Sequence, residues 1–319
     1  MKTAECVTPS HPDKLCDRIS DAILDACLEQ DPDSRVAIET MGGHGIITIT
    51  GELTTKAYIN AREIAQRIAG EQYGVQTNIV TQSPEIANGV DTGGAGDQGI
   101  MVGYACNDNE AMIPQELYLA RSLAKYLYEK YPYDGKTQIT LDDEGKIHTI
   151  VASFQNVNHL DLLSATNYWL AIQGIEYGLK IYCNPAGDWN IGGFEADTGL
   201  TGRKLMVDNY GPQVAIGGGC FSGKDATKVD RSGAYKARQM AVTLLKASPG
   251  AKEVLVKLAY AIGVAEPVMI TATVDGEEID IINAGATPKG IIETLDLRKP
   301  QFEKTAQWGH FGNGFTWDK

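Results

Sequence analysis

The clearest periodic pattern in the chain lies in residues 12–30. Pro12 opens this segment, and its fixed φ and missing N–H suit the first turn of a helix. Apolar residues recur at the three- and four-residue spacing that places them on one helix face: Ile19, Ala22, Ile23, Ala26 and Cys27. The pattern therefore predicts a helix over residues 12–30, which ends at the Asp-Pro-Asp sequence of residues 31–33.

Alternation of β-branched and polar residues then predicts a hairpin over residues 35–41 and 45–53, followed by a helix at about 55–70. Similar cycles recur: strand 98–106, helix 114–130, hairpin 137–154, helix 159–174, helix 230–246 and strands 253–262 and 267–274. The cycling of hairpins and helices predicts an α+β chain of three comparable sheet-plus-helix units rather than a βαβ-wound parallel sheet.

Glycine clusters at residues 93–96 and 192–193 suggest where the units divide. We predict an N-terminal domain over residues 1–92, a central domain over 93–190 and a C-terminal domain over 191–319, with the chain interleaving between them. A length of 319 residues agrees with two or three domains.

Composition narrows the class of function. The formal net charge of −13 and the pI near 4.9 argue against nucleic acid as a general partner, because its phosphates would be repelled. Six scattered cysteines show no zinc-finger or Cys-x-x-Cys spacing, which favours free thiols in a reducing compartment. Without a signal-peptide pattern or a run of about 20 apolar residues, we expect a cytoplasmic protein that does not bind a membrane.

Residues 217–231 are the most informative segment for chemistry. They combine glycines, which allow close approach of backbone N–H groups to an anion, with lysines that neutralise phosphate and aspartates that bind Mg²⁺. Gly218, Gly223 and Lys224 nearly match the Walker A pattern, but Asp225 stands where a hydroxyl should meet Mg²⁺. A Walker-type ATPase or kinase is therefore an alternative, and a flexible glycine-rich turn with solvated charges is another.

A second glycine-rich run covers residues 191–204 and also ends in two basic residues. Between Asp197 and Arg231 the acidic chain gathers five Lys or Arg against four Asp. This local reversal of charge favours a compact polyanionic ligand.

Residues 10–14, Ser-His-Pro-Asp-Lys, lie at the start of the first predicted helix, where unpaired N–H groups attract anions. Gly94-Ala-Gly96-Asp-Gln-Gly99 matches a dinucleotide fingerprint only formally, because a strand follows it rather than a helix. Cys220 leaves a nucleophilic thiol as a minor alternative.

Together these segments resemble the S-adenosylmethionine synthetase family. The resemblance extends from about residue 5 to 317 and rests on motifs in family order: His11-Pro-Asp-Lys14, Asp17-Arg-Ile-Ser-Asp-Ala22, Gly51-Glu-Leu-Thr-Thr55, Gln82-Ser-Pro84, Gly94-Ala-Gly-Asp-Gln-Gly99, Gly199-Leu-Thr-Gly-Arg-Lys204, Gly217-Gly-Gly219, Phe221-Ser-Gly-Lys-Asp225, Lys228-Val-Asp-Arg-Ser232 and Gly309-His-Phe-Gly312.

The resemblance implies three domains in a pseudo-threefold arrangement and a transferase that joins methionine to ATP. Methionine sulfur attacks C5′, and the released triphosphate is hydrolysed to pyrophosphate and phosphate. It further implies two Mg²⁺ per site, K⁺, and a homodimer with shared active sites, for which a tetramer is also possible.

The resemblance also assigns roles to residues. The catalytic set is His11, Lys136, Arg203, Lys204 and Lys224. The ATP- and methionine-binding set is Glu52, Gln82, Asp97, Asp134, Trp189, Asp197, Cys220 and Lys228. The metal set is Asp13 and Asp230 for Mg²⁺ and Glu39 for K⁺.

The chain also departs from the family pattern. Pro9-Ser10 stands where Glu-Gly is usual, Ile216 replaces a more usual His, and several segments are short. Residues 85–94 leave little chain for the family's lid, so we expect weaker methionine capture. A regulatory subunit without catalysis is a further alternative, against which the presence of His11, Asp13, Lys224 and Asp230 argues.

Overall fold

The computed structural model describes residues 1–82, 93–175, 178–281 and 285–319. The strands of these residues are β1 (Lys2–Val7), β2 (Arg35–Gly43), β3 (Ile46–Thr54), β4 (Gly74–Val80), β5 (Gly99–Cys106), β6 (Gly135–Leu141), β7 (Ile147–Phe154), β8 (Lys180–Cys183), β9 (Gly199–Leu200), β10 (Glu253–Tyr260), β11 (Met269–Val274) and β12 (Glu277–Ile279). The α-helices are α1 (Pro12–Gln30), α2 (Ala61–Ala69), α3 (Gln115–Lys130), α4 (His159–Ile172), α5 (Leu205–Asp208), α6 (Val229–Ala247), α7 (Pro288–Leu295) and α8 (Phe302–Trp308).

The described strands form three four-stranded sheets with the orders β4-β3-β2-β9, β1-β6-β7-β8 and β12-β11-β10-β5. A long helix packs on each sheet: α1 against β2, α3 against β1 and β6, and α6 against β5 and β10. Their apolar faces enclose the buried core. The predicted α+β fold of three sheet-plus-helix units is confirmed.

Each sheet takes one strand from a distant part of the sequence. In the described residues β9 pairs antiparallel with β2, β1 with β6, and β5 with β10. The chain therefore passes back and forth between units. The domain boundaries at residues 92 and 190 stay a prediction.

Local sequence explains where several helices begin. The His11 side chain accepts a hydrogen bond from the Asp13 N–H at the start of α1, with Pro12 in the first turn. Asn158 caps α4 in the same way through the Asp161 N–H. These signals are local, and the predicted bounds of α1 agree with the structure.

Two features differ from prediction. The helix expected at 55–70 begins only at Ala61, because the Asn60 side chain accepts a hydrogen bond from the Glu63 N–H and caps it there. Strands β1, β4, β8, β9 and β12 were not anticipated. Two of them, β4 and β8, pair in parallel with β3 and β7, and such pairing depends on partners that are remote in sequence.

Two predictions from composition can be compared with the described residues. All six cysteines are free. No described helix combines the length and the apolar character needed to cross a bilayer.

Candidate active site

The first group of predicted site residues gathers at the start of α1. The Asp13 carboxylate accepts hydrogen bonds from the Leu200 N–H at 2.9 Å and the Lys204 ammonium at 2.5 Å, and Arg203 Nε lies 3.3 Å away. A Cβ on Gly199 would meet the Pro12 carbonyl oxygen at 2.2 Å, so only glycine allows the basic loop to approach this closely. Two predicted phosphate-binding cations are thereby fixed beside a predicted Mg²⁺ ligand.

His11 is neutral in this environment. Burial, followed by the charge of Lys204, lowers the pKa of His11 to about 4. Its Nδ1 lies 3.2 Å from the Asp13 amide nitrogen, which donates to it. The neutral ring therefore carries its proton on Nε2, which can donate a hydrogen bond to an oxygen of a bound anion.

Burial opposes ionisation of Asp13. The hydrogen bonds from Lys204 and the Leu200 N–H outweigh that effect, and the pKa of Asp13 lies below its ordinary value. The carboxylate is therefore ionised at neutral pH and suits a cationic ligand.

Three further predicted residues lie around His11. The charges of Lys136 and Asp197 both act on its ring. Lys136 is exposed and pairs with Glu5 at 2.8 Å. Asp134 accepts a hydrogen bond from the Gly193 N–H at 2.9 Å, and burial raises its pKa. We call this group the histidine cluster; it comprises His11, Asp13, Asp134, Lys136, Asp197, Arg203 and Lys204.

The second group lies at the start of α6. Lys224 Nζ donates to Asp230 at 2.6 Å, and the other carboxylate oxygen of Asp230 accepts from the Gly219 N–H at 3.2 Å. An open cleft of about 700 Å³ is lined by Asp97, Asp230 and the glycines 217–219. We call these residues, with Lys224, the glycine-loop cluster.

Gly223 fixes the position of Lys224. Its φ is +80°, and a Cβ there would meet the Ile38 carbonyl oxygen at 1.9 Å. The Gly223 N–H donates to Asp21 at 2.8 Å, while Lys224 forms an isolated bridge with Ala37 of β2. Glycine is therefore required for the loop to lie on the sheet edge.

Lys228 has a different environment from the one expected of a substrate contact. Its ammonium donates to Asp225 at 2.6 Å, and Asp225 also accepts from the Val36 N–H at 2.7 Å. Asp225 thus joins the loop to β2. The pairing also weakens the Walker alternative, because this carboxylate is engaged within the chain.

Three predicted residues lie along the exposed edge and face of the first sheet. Glu39 and Glu52 are both exposed, and Glu52 is opposite Ala37, two residues from Glu39 on β2. The Gln82 N–H donates to Thr54 Oγ1 at 3.3 Å, and its side-chain Oε1 is buried without a partner among the described residues. Glu52 therefore lies in the region of Lys224, whereas Glu39 lies midway between Ala37 and Met41 on β2.

Trp189 lies near the histidine cluster. Its indole N–H donates to Asn184 Oδ1 at 3.3 Å, and its ring packs against Gly192. The next residue, Gly193, donates its N–H to Asp134. The ring is therefore within the region that contains His11.

Cys220 lies between the two clusters. A Cβ on Gly202 would meet its sulfur at 2.8 Å, and burial raises the pKa of the thiol well above its ordinary value. A neutral thiol disfavours the nucleophilic alternative.

The two clusters are apart on one chain. Leu200 pairs with Met41 of β2, whereas Lys224 bridges to Ala37 of the same strand. Four residues of extended strand correspond to a separation of about 13 Å. Most predicted site residues therefore lie in two regions near β2, and Cys220 lies between them.

Sequence comparisons decide the family. Three family models match in order: the S-adenosylmethionine synthetase N-terminal domain over residues 1–88, its central domain over 92–176 and its C-terminal domain over 191–319. The chain belongs to the S-adenosylmethionine synthetase family.

Curated relatives agree over nearly the whole chain. An S-adenosylmethionine synthase of Brachyspira hyodysenteriae is 42% identical over 375 residues, covering 99% of this chain and 95% of the relative. Proteins of the same name from Petrotoga mobilis and Sulfurovum sp. are 41% and 42% identical, with the same coverage. These alignments exceed the chain's 319 residues, so the relatives contain segments that this family member lacks.

The predicted shortened lid falls on residues 85–94. Residues 83–92 lie outside the described part of the structure, so this expectation stays a prediction. No other predicted site residue of this family member lies in the undescribed segments.

The acidic residues fit the divalent metal that this ATP-using family generally needs. No group of three or more His, Cys, Asp or Glu side chains among the described residues could form a metal cage. Mg²⁺ commonly binds through one or two carboxylates plus substrate phosphates, and Asp13 and Asp230 each offer such a carboxylate beside a lysine. Chemically, the donor set suits a metal that arrives with a phosphate ligand.

Sequence reasoning missed the residues that hold these loops. Aspartates recur every fourth residue of α1, and each carboxylate accepts a backbone N–H from a distant segment. We call this row the aspartate ladder: Asp13 to Leu200, Asp17 to Gly202, Asp21 to Gly223, and Asp25 to Gln301, Phe302 and Glu303. The four-residue spacing was the available signal.

Buried ion pairs complete the ladder. Lys14 lies between Asp17 at 3.1 Å and Asp208 at 2.5 Å, and Arg231 pairs with Asp21 at 2.6 Å. One helix therefore positions both basic loops of this synthetase-family chain.

Proposed function

We propose that this chain forms S-adenosylmethionine from ATP and L-methionine. Its family membership and the names of its relatives support methionine adenosyltransferase activity. The observation that carries the proposal is the recurrence of a carboxylate–lysine pair beside a glycine-containing loop, at Asp13–Lys204 and at Asp230–Lys224. Such a pair suits a phosphate chain accompanied by a metal ion.

The reaction is an in-line displacement. A lone pair on the methionine sulfur forms the S–C5′ bond, the C5′–O bond breaks, and its electron pair leaves with triphosphate. Water then hydrolyses triphosphate to pyrophosphate and phosphate. The chemistry mainly requires orientation of the reactants and stabilisation of charge on the leaving oxygen.

His11 suits the leaving oxygen. Its neutral ring presents an Nε2–H donor, so it stabilises developing negative charge by hydrogen bonding without giving up a proton. Lys136, Arg203 and Lys204 neutralise neighbouring phosphate oxygens. Their placement around His11 supports these roles.

In our proposal, Lys224 contacts the end of the triphosphate that is remote from the leaving oxygen near His11. Asp230 holds its ammonium, and the glycines 217–219 line the same open cleft. Glu52, Gln82 and Asp97 bind methionine or the nucleoside, Asp134 and Asp197 line the nucleoside side of the pocket, and Trp189 stacks on adenine. The roles of Lys228 and Cys220 in binding ATP or methionine stay predictions, and Lys228 also pairs with Asp225 within the loop.

Two Mg²⁺ ions per site would be held by Asp13 and Asp230, and K⁺ by Glu39. When bound, the divalent ions neutralise triphosphate charge that lysines alone cannot balance in a partly dry site. The carboxylates of Asp13 and Asp230 each keep one lysine close to that charge.

We further propose a homodimer with shared sites, in which a tetramer is an additional possibility. The clusters lie about 13 Å apart along β2, so one triphosphate contacts both more readily if each comes from a different subunit. The sheets also expose large apolar side chains, including Met41, Ile100 and Met269. An exposed apolar sheet face is typical of a subunit interface. A cytoplasmic location stays a prediction.

The test is direct. The chain is incubated with ATP, methionine, Mg²⁺ and K⁺, and S-adenosylmethionine, pyrophosphate and phosphate are quantified by mass spectrometry and phosphate assay. We expect the three products in equal amounts. Release of phosphate at equal speed without methionine would instead indicate an ATPase.

A further inference from the structure

A cleft of about 580 Å³ lies away from both clusters, between α3, α4 and the segment at residues 312–313. Its volume is in the range of small-molecule sites. The residues that matter for its chemistry are Arg121, Ser122, Lys125, Tyr126, Trp169 and Asn313. None of them belongs to the predicted active site.

The cleft contains a buried guanidinium with spare bonding capacity. Arg121 is 3% exposed, and its two terminal nitrogens donate to the carbonyl oxygens of Phe311 and Val207. Its Nε is buried and has no hydrogen-bond partner within the described residues. Among the described residues, no Asp or Glu carboxylate lies within 4.0 Å of the Arg121 guanidinium. A buried charge of this kind usually has an acidic partner.

A second cation lies one helical turn away. Lys125 Nζ donates to Asn313 at 2.8 Å and lies 5.8 Å from the centre of the Trp308 ring. Burial, followed by the charge of Arg121, lowers the pKa of Lys125 to about 8. Residues four apart on a helix share one face, so both cations act on the same part of the cleft.

The nearby carboxylates do not neutralise these cations. Asp208 pairs with Lys14, and Asp318 pairs with Arg238 at 2.9 Å. The acidic residues that line the cleft are Glu110 and Glu129, which are exposed at its rim where solvent screens their charge. The interior therefore has positive charge in a chain whose net charge is −13.

The remaining wall is aromatic. Trp169 is almost completely buried, and its indole N–H is engaged with Ser122 Oγ at 3.2 Å. Tyr126 stacks on Tyr168, with ring centres 6.4 Å apart, and its hydroxyl oxygen is buried with no partner in the described residues. A flat apolar body and an anionic group would both find complementary partners here.

We propose that this cleft binds a small organic carboxylate with an aromatic or similarly flat apolar body. The carboxylate accepts hydrogen bonds from the Lys125 ammonium and is attracted by the buried charge of Arg121, and the apolar body packs against Tyr126 beside Trp169. Charge-assisted hydrogen bonds account for the selectivity for an anion. The site is independent of the proposed catalytic activity.

The test uses naphthylacetate and its neutral amide, naphthylacetamide, as probes in calorimetric titrations of the full chain. We expect naphthylacetate to bind saturably and the amide to bind about tenfold more weakly or not at all. Lys125→Met should weaken naphthylacetate binding by about tenfold, and Tyr126→Phe by a smaller factor. Circular dichroism confirms that each variant is folded.

Two control variants test whether naphthylacetate binds in this cleft rather than elsewhere on the chain. Lys289→Met removes an exposed lysine of α7 and should leave the affinity unchanged. Lys224→Met should also leave it unchanged, because Lys224 lies in the glycine-loop cluster. The proposal is overturned if naphthylacetate does not bind at millimolar concentration, if the amide binds equally well, if Lys125→Met has no effect, or if Lys224→Met abolishes binding.

Discussion

Asp17 accepts a hydrogen bond from the backbone N–H of Gly202 at 2.8 Å, although the two residues are far apart in sequence. The aspartate is completely buried and also receives the Lys14 ammonium at 3.1 Å. Gly202 directly precedes Arg203 and Lys204. A carboxylate on the first long helix therefore determines where two predicted phosphate-binding cations lie.

The first prediction concerns this contact. Asp17→Ala should lower stability by about 3 kcal/mol, because it leaves Lys14 with one partner fewer, and should also lower kcat because the basic loop loses its anchor. Asp17→Asn keeps an acceptor for Gly202 while losing the charge. Urea unfolding and kcat are measured for both variants.

Comparing Asp17→Ala with Asp17→Asn separates the loss of stability from the loss of loop position that lowers kcat. We expect similar stability losses but a smaller fall in kcat for Asp17→Asn than for Asp17→Ala. An Asp17→Ala variant that is folded and has unchanged kcat would remove Asp17 from the role of positioning residue.

The second prediction concerns charge in the site. Lys224→Met and Asp13→Asn should each reduce the rate by about 10²–10⁴, the range typical of removing a transition-state stabiliser. Lys289→Met, an exposed substitution of the same type, is the matched control and should keep full activity. Near wild-type turnover of either site variant would exclude that residue from catalysis.

The third prediction follows from the low pKa of His11. The folded pKa of about 4 lies below the ordinary value of 6.5, so the unfolded chain binds more protons between these pH values. As the pH falls through this window, His11 lowers the free energy of unfolding by at most about 1.4 kcal/mol per pH unit. His11→Asn should abolish this contribution.

Urea unfolding at several pH values checks the direction in which the free energy of unfolding changes with pH. The stability of the wild-type chain should fall more steeply from pH 6.5 towards pH 4 than that of His11→Asn. Equal slopes for the two chains would show that His11 titrates normally.

The fourth prediction tests the shared site. Lys204→Met and Lys224→Met chains should each be inactive, and mixing them under conditions of subunit exchange should restore activity. Heterodimers would contain one pocket with both lysines intact. A mixture that stays inactive although heterodimers form would mean that each pocket is built within one chain or that the two pockets are coupled.

The sequence indicated much of this arrangement because its signals are local. Pro12 and the apolar spacing after it predicted α1, and the glycines near Lys224 marked a site for an anion. The contact of Asp225 with the Val36 N–H and that of Asp21 with the Gly223 N–H join segments that the sequence does not relate. Strand β4 was missed because most of its residues are only partly buried or exposed, which leaves little apolar alternation to recognise.

The most direct measurement uses ATP with heavy oxygen at the bridge between C5′ and the α-phosphorus. The account places bond cleavage between C5′ and this oxygen, since the sulfur of methionine attacks carbon. We predict that mass spectrometry finds the label in whichever product contains the former α-phosphorus, pyrophosphate or phosphate, and none in S-adenosylmethionine. Label retained in a nucleoside product, with phosphate released independently of methionine, would mean that a phosphorus–oxygen bond is broken instead and would contradict the account.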